Sequence, residues 1–275
     1  MKHKSPDNLQ SESIAKLLWS YSIPAIIGTM ANALYNIVDR IYIGQGVGAL
    51  AISGLSLTLP IMLFFAATGM LIGAGSAARI SISLGEKDKN KAEKILGNAL
   101  VLTFIISAIV FTLSYIFLKD ILILFGGSEE TIPYAEKYLR IIIPAQILPT
   151  LTYGYNNMMR ASGYPRKAMY TMLLGASLNI ILDPIFIFGF DMGIEGAAYA
   201  TVIAMFINCI WVMSHFLNKN NYIHFSRQNF KLERKIIFSI ISIGLSPFLM
   251  HVSGSIINVI INQNLVKYGG DLAIG

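Results

Sequence analysis

Residues 17–38 read LLWSYSIPAIIGTMANALYNIV, a run without a single charged side chain. Coiled as an α-helix at about 1.5 Å per residue, such a run matches the roughly 30 Å hydrocarbon core of a bilayer. Six more apolar runs follow, at 55–78, 95–118, 141–159, 169–190, 196–217 and 236–261. Each is about twice the length of a transmembrane β-strand, and none alternates in polarity as a barrel strand does. The pattern predicts an all-α, polytopic membrane protein with seven spans.

Composition agrees. Of 275 residues, 55% are hydrophobic and 13% charged, against about 25% charged in a soluble domain. Too few polar residues are present to cover a water-facing surface. The net charge of +6 is no nucleic-acid signature, because the basic residues gather in alternate loops. The single cysteine, Cys209, lies inside an apolar run and has no internal disulfide partner. The polar residues 1–16, followed by an apolar run too long for a signal peptide, predict a retained cytoplasmic tail.

Basic residues concentrate on the cytoplasmic side of membrane proteins. One side collects Lys2, Lys4 and Lys16, then Lys87, Lys89, Lys91 and Lys94, then Arg160, Arg166 and Lys167, and finally Lys219, Arg227, Lys231, Arg234 and Lys235. The other side holds Arg40, Lys119, Lys137, Arg140 and Lys267. This bias of 15 against 5 predicts a cytoplasmic N-terminus, with odd-numbered spans running outward.

The chain also repeats itself. SIPAIIG at 22–28 and GALAISG at 48–54 match LSPFLM at 245–250 and GDLAIG at 270–275. The prolines, Pro24 and Pro247, are offset by 223 residues and the glycine blocks by 222. Both copies run outward, so the repeat is parallel, about an axis along the membrane normal. The predicted organisation is a tail (1–16), a six-helix lobe (17–217), a cytoplasmic inter-lobe loop (218–235) and the first helix of a second, repeat-related lobe (236–275). A complete protein of this design has about twelve spans, its missing carboxyl-terminal lobe carried on the same or another chain.

Ionisable groups in a bilayer are expensive and mark function. Asp39 closes the first span, and Asp183 sits within the fifth, in LNIILDPIF. Asn179 and Asp183 are i and i+4, on one helical face. Pro184 cannot donate to the carbonyl of Ile180, which leaves an oxygen free beside two side-chain oxygens. Thr201, at similar depth on the next span, adds a hydroxyl. This oxygen cluster predicts a site for H+ or Na+, with Asp39, Asn179 and Asp183 as the possible Na+ ligands. The structural alternatives are a hydrogen bond pinning a kinked helix for Asp183, and an interfacial pair with Arg40 for Asp39.

Pro24, Pro184 and Pro247 mark predicted kinks or hinges, and Pro144 and Pro149 read the same way. Gly69, Gly73 and Gly75 form a GxxxGxG string. With no preceding strand it is no dinucleotide fingerprint, and it predicts close helix packing. The aromatic residues read as mostly lipid-facing or interfacial. His3, His215, His224 and His251 show no metal-ligand spacing. No nucleophile–base pair or phosphate loop is visible, so no enzyme activity and no cofactor is expected.

The segments PAIIGTMANALYNIVDRIYIG (24–44), GLSLTLPI (54–61), GAGSAARISISLGEKD (73–88), MRASGYPRKAM (159–169) and LNIILDPIFIFG (178–189) resemble the multidrug and toxic-compound extrusion (MATE) family. The likeness runs from about Leu17 to the last residue. It implies two six-helix lobes and export of organic cations coupled to inward H+ or Na+. It also implies a coupling-ion site in the first lobe at Asp39, Asn179, Asp183 and Thr201, with Asn156 as a fourth-helix member. A lipid-linked saccharide flippase of the same superfamily is the alternative, but it calls for several basic residues inside the spans. A non-transporting half-transporter subunit is a third reading.

Overall fold

The computed structural model describes residues 13–275, so Lys2, Lys4 and most of the tail predicted at 1–16 lie outside the described residues. Nine α-helices and no strand occur among the described residues. They are α1 (Ile14–Gly46), α2 (Ala49–Gly85), α3 (Lys89–Ile116), α4 (Leu118–Leu124), α5 (Ile132–Ala145), α6 (Ile147–Ala161), α7 (Pro165–Pro184), α8 (Gly193–Leu217) and α9 (Arg234–Gly269). A π-helical turn, Ile185–Gly189, extends α7, and 3-10 turns occupy Arg227–Phe230 and Asp271–Ile274.

Among the described residues six helices are long and apolar enough to cross a membrane: α1, α2, α3, α7 with its π turn, α8 and α9. The fourth span departs from the expected single run at 141–159. It is built from α5 and α6, which meet at Gln146. Pro144 and Pro149 flank this break, and neither can donate a backbone hydrogen bond. Gln146 N instead donates to Ile143 O at 3.2 Å, a tighter i−3 bond. The span also begins earlier than hydropathy indicates. Glu136, Lys137 and Arg140 lie on α5, where Glu136 pairs with Arg140 at 2.6 Å and Lys119 at 3.8 Å.

Helix α2 is the centre of the bundle and packs on α3, α5, α6 and α9. Its glycines account for the close approaches. A Cβ on Gly73 would stand 2.5 Å from Gly154 Cα on α6, and one on Gly75 would collide with the Ile240 carbonyl on α9. On α9, Gly244 is pressed in the same way against the Leu71 carbonyl of α2. Thr58 and Thr103 bond back to their own helices, to Leu55 O at 2.7 Å and to Ala99 O at 2.8 Å. No water is needed there to satisfy them.

The core falls into two clusters. One gathers Ile43, Leu57, Leu139, Ile142 and Ile187 at the end away from the basic loops. The other gathers Ile80, Leu96, Tyr155, Phe216 and Ile240 at the basic end. Tyr155 packs edge-on against Phe216, with ring centroids 5.3 Å apart, and lies 5.6 Å from Phe225. These aromatics are internal, the minority beside the many aromatic side chains exposed on the outer surface. Trp19, Phe104, Ile116 and Trp211 are exposed on the outer surface, as a lipid solvent requires.

The repeat is visible in the backbone. Gly48, which opens α2, has φ +112° and ψ 176°, and Gly270, which opens the turn Asp271–Ile274, has φ +72° and ψ −176°. This extended conformation with positive φ is essentially restricted to glycine. It recurs at matching places in the two copies. Pro24 and Pro247 both lie inside continuous helices rather than at breaks, so the hinge expectation takes the form of two proline-weakened helices. Pro184 stands where α7 passes into the π turn.

Candidate ion site and cavity

Asp39, Asp183 and Thr201 reach one depth by different routes. Asp39 lies two turns before the end of α1, Thr201 two turns after the start of α8, and Asp183 at the α-to-π transition of α7. Each is about 10 Å from the end away from the basic loops, at 1.5 Å per residue. Helices α1 and α7 are held together by Gly28, where a Cβ would stand 2.6 Å from the Met172 sulfur, and by Gly46 against Ile187. This packing brings the two carboxylates close enough to feel each other's charge.

Asp183 is fully buried, and Asp39, Asn179 and Thr201 are 8%, 6% and 5% exposed. Both Asp183 carboxylate oxygens, Asp39 Oδ1, Asn179 Oδ1 and Thr201 Oγ1 are buried without a hydrogen-bond partner. Asn179 Nδ2 donates to Gly175 O at 2.9 Å on its own helix, which commits the amide nitrogen and leaves the oxygen free. A burial pattern of this kind is costly unless a cation or proton satisfies the oxygens. The donor set is all oxygen and includes two carboxylates, which suits H+ or a hard cation such as Na+.

Tyr35 and Tyr138 also stand at this cluster, near both carboxylates and Thr201. The sequence reading missed both. Tyr35 is one turn before Asp39 on α1, an i, i+4 relation that carried the signal. Tyr138 lies on the stretch of α5 that hydropathy left outside the fourth span.

Asn156 belongs elsewhere. Its Nδ2 donates to Ala168 O at 2.8 Å. Ala168 precedes Asp183 by four turns of α7, about 22 Å, so Asn156 is not a ligand in the Asp183 cluster. It joins the basic ends of α6 and α7.

A cavity of about 380 Å³ connects these regions. Asp39, Tyr138, Asn179 and Thr201 line one end and Asn156, Arg160 and Thr171 the other, with Tyr153 and Gln146 between. The volume lies within the range of small-molecule sites, about 300–1,000 Å³.

Comparison with known proteins accounts for this architecture. The MatE family model matches residues 24–185. The multidrug export protein MepA of Staphylococcus haemolyticus is 31% identical over 269 residues, covering 98% of this chain and 60% of that protein. A solved structure of the MATE multidrug transporter DinF-BH superimposes with a TM-score of 0.92 at 36% identity, over 100% of this chain and 61% of that one. An inward-facing multidrug resistance MATE family transporter of the MOP superfamily gives a TM-score of 0.84 at 26% identity, over 91% of this chain and 59% of that one. The chain thus spans about three-fifths of the length of the curated relatives it matches, and the transporter structures cover it as their amino-terminal lobe. Matched over more than half its length, with the same helices in the same places, the chain belongs to the MatE family of multi-pass membrane transporters.

Proposed function

We propose that this chain forms the first lobe of a cation-coupled antiporter that exports organic cations by alternating access. A second lobe, in the same or another chain, completes it. The N-terminus faces the cytoplasm, the complex lies in the cell membrane, and Asp39 and Asp183 face the outer half. The coupling ion is H+ or Na+, held by Asp39, Asp183, Asn179 and Thr201.

One observation carries this reading: two carboxylates share a buried space in which five oxygen atoms lack partners. Two carboxylates repel when both are ionised, so the cluster favours whichever packing of α1, α7 and α8 accompanies ion binding. An ion shifts a conformational balance only through its differential affinity for the two states. Residues on three separate helices meet the ion, so its binding and release bear directly on how those helices pack.

The test is resistance and dye efflux in cells expressing the complete transporter. Asp183→Asn is expected to abolish efflux while the protein still inserts in the membrane. Wild-type resistance in that variant refutes the assignment.

A further inference from the structure

The segment that joins α8 to α9 is packed into the basic end of the bundle. Ile223 is buried in the core cluster there. Phe225 N donates to Phe216 O at 2.9 Å, and the Phe225 ring lies 5.6 Å from Tyr155. His224 stands between these two anchors, and its Nδ1 lies 3.3 Å from Glu93 Oε1 on α3. The two side chains are 22% and 11% exposed, better shielded than the neighbouring Lys91–Glu86 and Lys94–Glu233 pairs. Both atoms are buried and make no hydrogen bond. A carboxylate oxygen thus faces a ring nitrogen, and a charged imidazole completes the pair.

The other charges around His224 come from four elements. Lys89, one turn earlier on α3, reaches Glu93 at 3.6 Å and lies 5.7 Å from the Tyr222 ring. Lys91 and Lys94 pair with Glu86 and Glu233, and Arg227 follows in the 3-10 turn of the segment. From α8, His215 meets the segment through Asn221, whose Nδ2 is 3.1 Å from His215 Nδ1, and Lys167 of α7 approaches the same nitrogen at 3.4 Å. Between about pH 5 and pH 8 histidines change charge, while lysines and glutamates keep theirs. The two histidines act in opposite directions. A charge on His224 attracts Glu93, whereas a charge on His215 makes Nδ1 a donor facing two donors, Asn221 and Lys167.

We infer that His224 and Glu93 form a pH-responsive latch that fastens the inter-lobe segment to α3 when the imidazole is protonated. At higher pH Glu93 keeps only Lys89, and the segment is held less firmly. The segment runs on into α9, where Asn98 of α3 holds Lys231 O and Glu233 N. A fastened segment therefore resists parting of α3 from the start of α9, and transport slows as the pH on that side falls. The latch stands on geometry alone. Its effect on transport rests on the exporter reading, whose orientation places the latch in the cytoplasm.

The test is hydrogen exchange at residues 219–226 in the purified complete transporter, at about pH 6 and about pH 8, each corrected for the intrinsic exchange rate. Wild type is expected to be about threefold better protected at the lower pH, as for one partly exposed ion pair. In His224→Gln and in Glu93→Gln the difference disappears. His224→Arg, which carries its charge at both pH values, keeps the protection at both and serves if the glutamine variants do not fold. Equal protection of wild type at the two pH values overturns the inference. So does weaker protection at the lower pH, which assigns the titration to His215, and so does a difference that survives in His224→Gln. Dye efflux from cells whose cytosol is held at each pH tests the consequence. Near pH 6, His224→Gln is expected to export about threefold faster than wild type, and near pH 8 the two are equal. Equal efflux at both removes the regulatory role. Absence of any ion-driven efflux, with the exchange pattern as expected, removes the exporter reading and leaves the latch.

Discussion

Asp39 on α1 and Asp183 on α7 lie within reach of each other's charge although 144 positions separate them in the chain, and neither forms an ion pair with a basic side chain among the described residues. Their meeting depends on the close packing of α1 on α7 at Gly28 and Gly46. The Arg40 guanidinium lies near Asp39 without forming an ion pair with it, so two carboxylates buried together here are stabilised mainly by a cation or a shared proton.

Thr201 supplies a neutral oxygen to this cluster. Thr201→Val keeps the shape and removes the hydroxyl. The ion concentration for half-maximal efflux is expected to rise about threefold to tenfold, with the maximal rate little changed, consistent with about 1 kcal/mol for one oxygen contact. Ion-titrated efflux in proteoliposomes checks it.

Asn156 gives the opposite expectation. Its side chain holds Ala168 O, far from the carboxylates. Asn156→Ala is expected to lower stability by about 1–2 kcal/mol and to leave the ion dependence of efflux unchanged. Thermal unfolding in detergent and an ion titration separate the two effects.

The contact between α2 and α9 has no spare room at Gly75 and Gly244. Gly244→Leu is expected to lower the unfolding temperature markedly, by at least the roughly 1–3 kcal/mol typical of overpacking. A Cβ at Gly254, on the same helix, meets nothing within 4 Å. Gly254→Ala is expected to be neutral or slightly stabilising.

Asn98 fastens the segment between α8 and α9 to α3. Its Nδ2 donates to Lys231 O at 3.1 Å, and its Oδ1 accepts from Glu233 N at 2.8 Å, beside the Lys94–Glu233 ion pair at 2.9 Å. Asn98→Ala orphans these backbone groups at a cost of about 1–3 kcal/mol. Faster hydrogen exchange at residues 229–233, without change in the α1–α7 pair, is the expected result.

Hydropathy carried the spans because a bilayer demands long apolar helices, and it carried Asp39 and Asp183 because charges there stand out. The repeat was legible down to Pro24 and Pro247, and the paired glycines Gly48 and Gly270 share a backbone conformation that few other residues accept. Other features were not legible. Tyr138 was hidden because Glu136, Lys137 and Arg140 make the start of α5 look like a loop, although Glu136 and Arg140 pair along the helix surface. Asn156 entered the site through the resemblance alone, and its hydrogen bond to Ala168 O sets it apart from the carboxylates. Arg160 was counted with the loop charges because sequence does not say that a side chain turns inward.

The central claim is that the Asp39–Asp183 cluster binds the coupling ion. The direct measurement is dye efflux by the complete transporter in proteoliposomes, with Na+ and pH gradients imposed separately. In wild type one of the two gradients is expected to accelerate efflux. In Asp183→Asn and in Asp39→Asn that acceleration is lost while dye still binds. Gradient-driven efflux that survives in both variants contradicts the claim and places the coupling site elsewhere in the protein.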